Sequence, residues 1–143
     1  ICVEARERIE EHRQAGHVVA LLTSATRFLS APLSAALRIE HVLCTEVGEE
    51  DGCFTGTHCS PACYGPGKVL RAEAFAAAHG IDLARSFFYS DSYSDLPMLE
   101  RVGEPRVVNP DPRLRRLAQR RGWHAETWKA PGVDQARTME GQQ

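Results

Sequence analysis

Four short apolar runs, interleaved with helix-patterned stretches, constrain what this chain can fold into more than any other feature. They are "HVVALLT" (His17 to Thr23), "HVLCTEV" (His41 to Val47), "SFFYSD" (Ser86 to Asp91) and "PRVVN" (Pro105 to Asn109). Each is brief, bounded by polar or turn-forming residues, and suits a strand covered on both faces. Helical patterns occupy Glu4 to Ala15, Phe28 to Arg38, Lys68 to His79, Tyr93 to Arg101 and Pro112 to Arg121. Gly16, Gly80 and Gly122 stand where three of these should stop. Pro32 is expected to restart or kink the second helix. Asp51-Gly52 predicts a hairpin, and "WHAETW" (Trp123 to Trp128) predicts a last strand. The alternation predicts an α/β domain, a mostly parallel sheet with helices on both faces. Residues 1–128 are expected to form it, and the polar residues 129–143 read as a flexible tail.

Composition narrows the class. The chain has 143 residues, enough for one domain with a real core. A formal net charge of -2 is no footprint for nucleic acid or an anionic membrane. No apolar run approaches the roughly 20 residues that cross a bilayer. The opening "ICVEARERIEEHRQAG" is charged and helical in pattern rather than a signal peptide. With an odd count of five cysteines, this predicts reduced thiols and a cytoplasmic location. His58, Cys59 and Cys63 suggest a zinc site, but no second close pair accompanies them. The six histidines show no ligand spacing, and Trp123 and Trp128 read as packing residues.

Polar residues fall where strands should end. In a parallel sheet, ligands bind beyond the carboxyl ends of the strands. Thr23-Ser24 follows "VVALL", Asp91 follows "FFYS", and Lys68 opens a helix after the pliable "GPG". Asp91 and Asp95 together could hold a hard cation such as Mg2+, which takes one or two carboxylates and leaves positions for water and phosphate oxygens. The hydroxyl and backbone N–H groups at Thr23-Ser24 could bind phosphate oxygens, and Lys68 could offset their charge. Taken singly, each has a plainer reading. Asp91 could cap a helix, Asp95 could favour a helix dipole, Thr23 and Ser24 could be loop residues, and Lys68 could be solvated. Their weight comes from occurring together in this order. A P-loop does not fit "GPGK", because Val69 follows the lysine and Ala62 stands where the first glycine belongs.

In that order, "VVALLTSAT", "DGCFTG", "YGPGKV", "FFYSDSYSDLPMLE" and "VVNPDPRLRRLAQRRGW" resemble the haloacid dehalogenase-like hydrolases, and among them the phosphoserine phosphatase-like subfamily. The resemblance covers roughly residues 3–128. It implies a Rossmann-like three-layer core and a Mg2+-dependent phosphomonoesterase acting on a small phosphorylated metabolite, with phosphoserine the first guess. It implies that Thr23 and the Ser24 backbone bind the phosphoryl group and that Lys68 steadies phosphate and nucleophile. Asp91 would be a Mg2+ ligand, and Asp95 would reach the metal directly or through water. Asn109 lies in the family's "NPD" stretch and carries no assigned role. The family's attacking aspartate forms an aspartyl-phosphate, with a second aspartate as general acid and base, in an Asp-x-Asp-x-Thr motif. No aspartate precedes Asp51 and no such motif occurs. The chain is therefore expected to lack the first, central strand and the helical cap, and to be inactive alone by the family mechanism. Pairing with another chain could replace the strand. The alternatives are an inactive binding or regulatory remnant of the same fold, and an unrelated doubly wound ligand-binding domain.

Overall fold

A computed structural model describes residues 1–45, 47–50, 53–58 and 63–129, without the side chains of 47–50 and 53–58. The chain divides into two units, Ile1–Val19 with Thr127–Gln143, and Ala20–Glu126. In the first, helix α1 (Val3–Gln14) buries none of its residues, and Gly16 follows it at φ +80°. The Lys129 N–H donates to the Glu4 carboxylate at 3.3 Å.

The second unit begins with β1 (Ala20–Thr26), α2 (Arg27–Leu37) and β2 (His41–Thr45). The strands pair in parallel, with Ala20 opposite His41 and Leu22 opposite Leu43. The sequence reading placed the first strand over His17 to Thr23. It runs three residues later, so Thr23 and Ser24 lie inside it, where the register slips between Leu22 and Thr26. Pro32 neither restarts nor ends α2, which runs through it. Proline forfeits one helical N–H, and in this helix the buried Ser30 hydroxyl reaches back to the Thr26 and Arg27 carbonyls at 3.0 and 3.2 Å. Strands β3 (Val47–Glu50) and β4 (Cys53–His58) form the expected antiparallel hairpin. Its Asp51-Gly52 turn, and Cys59 of the suggested zinc site, lie outside the described residues.

Helix α3 (Pro66–His79) leads to β5 (Phe87–Ser90), α4 (Leu96–Arg101), β6 (Glu104–Val108), α5 (Pro112–Arg121) and β7 (His124–Glu126). Strands β5, β6 and β7 form a parallel sheet in that order. Gly80 and Gly122 close α3 and α5 in the left-handed conformation that most side chains disfavour. Helices α3, α4 and α5 bury apolar residues against the strands. Ala72 and Ala76 of α3 meet Leu83, Met98 and Val102, with Leu22 of β1 and Phe88 of β5 packed on the same cluster. Leu99, Val107, Leu114 and Ala118 form a second cluster that Phe88 also touches. Both β1 and β5 thus reach one core, yet no hydrogen-bonded ladder joins their sheets among the described residues. Parallel strands in two small sheets, joined by helices, match the expected Rossmann-like α/β class.

Candidate active site

Polar residues stand toward the carboxyl ends of the parallel strands β1 and β5. Lys68 occupies the first turn of α3, where the helix dipole disfavours a cation. A carboxylate compensates. Lys68 Nζ donates to Asp95 Oδ1 at 2.7 Å, and the two side chains are only 9% and 12% exposed. The other oxygen of Asp95 is also held, because Ser90 Oγ donates to Oδ2 at 2.7 Å. Ser90, the last residue of β5, is itself buried and accepts the Ser92 N–H at 3.1 Å. Asp95 is therefore neither a dipole-favouring surface carboxylate nor an open one.

Asp91 differs. It is exposed at the end of β5, and its carboxylate has no hydrogen-bond partner among the described residues. Its backbone is fixed instead, since its carbonyl accepts the Asp111 N–H at 2.9 Å. Asp111 ties this corner together. Oδ1 caps α5 by accepting the Leu114 N–H at 2.8 Å, and Oδ2 accepts the Tyr93 N–H at 2.7 Å. The N–H bonds from Leu114 and then Tyr93 hold the Asp111 carboxyl below the usual aspartate range. The Arg113 guanidinium lies 3.8 Å from the centre of the Tyr93 ring and adds to this.

Thr23 and Ser24 sit at the slip in β1. Thr23 Oγ1 accepts the Ala25 N–H at 3.1 Å, a use of the oxygen that does not consume the hydroxyl proton. The Thr45 hydroxyl donates to the Ser24 carbonyl at 3.0 Å and accepts the Cys63 N–H at 3.2 Å. Burial pushes the Cys63 thiol up, while the charge of Lys68 and a Thr23 backbone hydrogen bond pull the other way. The structure joins Lys68, Asp95 and Ser90 by hydrogen bonds, and Thr23 and Ser24 stand apart from that set on β1.

Only one carboxylate of the pair is open to a ligand. Asp91 offers one open carboxylate, and Mg2+ needs no more than one or two with water and phosphate completing its shell. Among the described residues, no group of three or more His, Cys, Asp or Glu side chains could hold a metal alone. Sequence reasoning brought forward Thr23, Ser24, Lys68, Asp91 and Asp95. It passed over Ser90, Thr45 and Asp111, and read Cys63 only as part of a suggested zinc site. Asp111 had a signal, since Asp before Pro reads as N-cap and first helical position. Ser90 had only its place between an apolar run and an aspartate. Thr45 had none, and Cys63 had only its spacing to Cys59, which pointed to zinc rather than to this site.

Comparison with known proteins points the same way. Residues 2–100 match the haloacid dehalogenase-like hydrolase family. The chain is 44% identical over 121 residues to an inhibition of morphological differentiation protein of Streptomyces azureus, covering 84% of this chain and 43% of that protein. It is 38% identical over 124 residues to phosphoserine phosphatase SerB1 of Mycobacterium tuberculosis, covering 87% of this chain and 40% of that one. The chain thus spans about two-fifths of the length of these curated relatives. A solved structure of a Bordetella pertussis protein of unknown function superposes with a TM-score of 0.83 at 37% identity, covering 88% of this chain and 58% of that one. No helix among the described residues is long and apolar enough to cross a membrane.

Proposed function

We propose, for a chain that belongs to the haloacid dehalogenase-like hydrolases and is phosphoserine phosphatase-like, that it supplies the phosphate- and cation-binding part of a Mg2+-dependent phosphomonoesterase. The observation that carries this reading is the contrast between two neighbouring aspartates. Asp95 is buried with both oxygens engaged, one by Lys68. Asp91, at the strand end, is open. A structural ion pair needs no open carboxylate beside it, whereas a phosphate site with a cation needs both.

The residues divide the work. Asp91 would hold Mg2+, with Asp95 reaching it through a water while its own oxygens stay engaged. When bound, the ion supplies charge stabilisation on the phosphoryl oxygens. The Thr23 hydroxyl and the Ser24 N–H orient those oxygens from the slipped edge of β1. Lys68, aimed by Asp95, offsets the negative charge that builds as the phosphoryl group transfers. The attacking aspartate of the family reaction, and the acid that protonates the leaving group, would come from a part of the full-length protein outside this sequence. The substrate would be a small phosphorylated metabolite, phosphoserine first among those to test, and the location cytoplasmic. The name of the Mycobacterium relative favours catalysis over an inactive remnant.

The test is phosphate release by the full-length protein from a panel of small phosphomonoesters that includes phosphoserine. Turnover should require Mg2+, and Asp91→Asn should reduce it by about a hundredfold or more while weakening the metal dependence. Turnover that ignores chelator, or an Asp91→Asn variant with wild-type kinetics, would overturn the assignment.

A further inference from the structure

We propose that Ser90 is a positioning residue that sets the geometry of both carboxylates of the site. This inference rests on the phosphatase reading, and it gives a role to a side chain that the reading does not use.

The argument starts from the hydroxyl's two bonds. Ser90 Oγ donates its one proton to Asp95 Oδ2 at 2.7 Å, a short distance typical of a charge-assisted bond. The same oxygen accepts the Ser92 N–H at 3.1 Å. The first bond fixes the rotation of the Asp95 carboxylate. A carboxylate held at one oxygen can pivot about its Cβ–Cγ bond. Held at both, it presents Oδ1 to Lys68 Nζ along one line, at 2.7 Å. The second bond fixes the Asp91–Ser92 peptide, and so the direction in which Asp91 leaves the strand. A single buried oxygen therefore couples the ammonium group to the open carboxylate. Ser90 itself is only 8% exposed, so water cannot readily take its place.

A plainer account would be that Ser90 merely satisfies a strand end. That account fits its bond to Ser92 but not its choice of partner. Asp95 already has a full counter-charge in Lys68, and a second donor on the opposite oxygen adds direction rather than neutrality. The chain also has its own device for the following turn. The Ser92 side chain accepts the Ser94 N–H at 3.3 Å, so Ser90 is not needed to cap it.

The experiment compares Ser90→Ala and Ser90→Thr in the full-length protein. Ser90→Thr keeps the hydroxyl and should retain kcat within about threefold. Ser90→Ala should lower kcat about tenfold, the size expected for losing one hydrogen bond to a charged group, with KM changed less than twofold and the Mg2+ half-saturation raised. Equal kinetics for Ser90→Ala and wild type would overturn the proposal, as would equal losses in both variants, which would report packing rather than a hydroxyl. A second readout does not need turnover. In protein labelled with 15N-lysine, the Lys68 ammonium resonance should be sharp and slow to exchange in wild type and Ser90→Thr, and broadened in Ser90→Ala. Absence of turnover in wild type with this broadening intact would defeat the phosphatase reading while upholding the positioning role. An unchanged resonance in Ser90→Ala would defeat the positioning role whatever the turnover.

Discussion

Replacing Lys68 by methionine tests the centre of the site most directly. Methionine keeps the length and apolar stem of lysine but removes the charge. The partner it abandons is Asp95, whose side chain is 12% exposed and whose Oδ1 lies 2.7 Å from Nζ. Ser90 would remain as the donor to Oδ2, but a neutral hydroxyl does not balance a buried carboxylate. Removing one member of a buried pair typically costs about 3–5 kcal/mol, because an uncompensated charge stays inside. Asp95→Leu should cost a similar amount for the mirrored reason. The double variant removes both charges and leaves well-sized apolar groups. Its expected cost is about 1 kcal/mol or less, mainly the acceptor that Ser90 loses. The sum of the single losses should therefore exceed the double loss by about 3 kcal/mol or more. Urea denaturation of the full-length protein, followed by circular dichroism, measures all four species. If the single costs simply add to within about 0.5 kcal/mol, the pair is not coupled and the buried bridge is not the centre of the site. Phosphatase assays on the stable double variant complete the test, since a pair kept for function should be dispensable for folding and indispensable for turnover.

Two further perturbations follow from other parts of the fold. Asp111→Ala removes the cap of α5 and the acceptor of the Tyr93 N–H together, and should cost about 1–2 kcal/mol in denaturant titration. Because the folded Asp111 carboxyl is depressed, its contribution is complete above the ordinary aspartate range and fades as pH falls through the lowered folded value. The difference in melting temperature between wild type and Asp111→Asn should therefore be constant from pH 5 to 7 and shrink in acid below about pH 4; a difference that grew in acid would contradict the assigned cause. Gly103→Ala would drive a Cβ into the backbone carbonyl of Ala84. The Gly103 N–H also donates to Leu83 O at 3.0 Å, so the two strands of chain cannot part without losing that bond. The variant should lose several kcal/mol or fail to accumulate as soluble protein, and a wild-type melting temperature would refute the close approach.

What the sequence disclosed, and what it withheld, follows from the range of the interactions. Helix limits were legible to within about two residues, because caps and left-handed glycines are local signals, except that Tyr93–Asp95 forms a 3-10 turn ahead of α4 rather than its first turn. Gly80 and Gly122 close α3 and α5 where expected, and α5 spans Pro112–Arg121 as read. The first strand was displaced because its boundaries are not local. "HVVALLT" is uniformly apolar, so nothing within it says where pairing begins. The partner decides, and Ala20 pairs with His41 while Val18 stays 53% exposed. That displacement matters for the site. Thr23 and Ser24 are not residues after a strand but residues within one, held open by a register slip that only the pairing with β2 can create.

The division between Asp91 and Asp95 could not be read from spacing either. Four positions apart, the two carboxylates look equivalent, and both were assigned to a metal. Chain geometry separates them. Asp91 leaves the strand end into solvent, while Asp95 ends a short 3-10 turn, Tyr93–Asp95, that brings it to Lys68 of α3. There Lys68 waits, at the one turn of α3 where a cation is least favoured by the helix itself. A lysine that gains nothing from its own helix, and a carboxylate that gains nothing from burial, are each a cost alone. Held together by Ser90, they turn that cost into a fixed ammonium group beside an open carboxylate. If this reasoning holds, the two aspartates should fail differently. Asp91→Asn should spare the fold and disable metal-dependent turnover. Asp95→Asn should destabilise the protein by about 3 kcal/mol or more before any question of metal arises. Equal stability losses in the two variants, measured in the same denaturant titration, would remove the distinction on which the site is built.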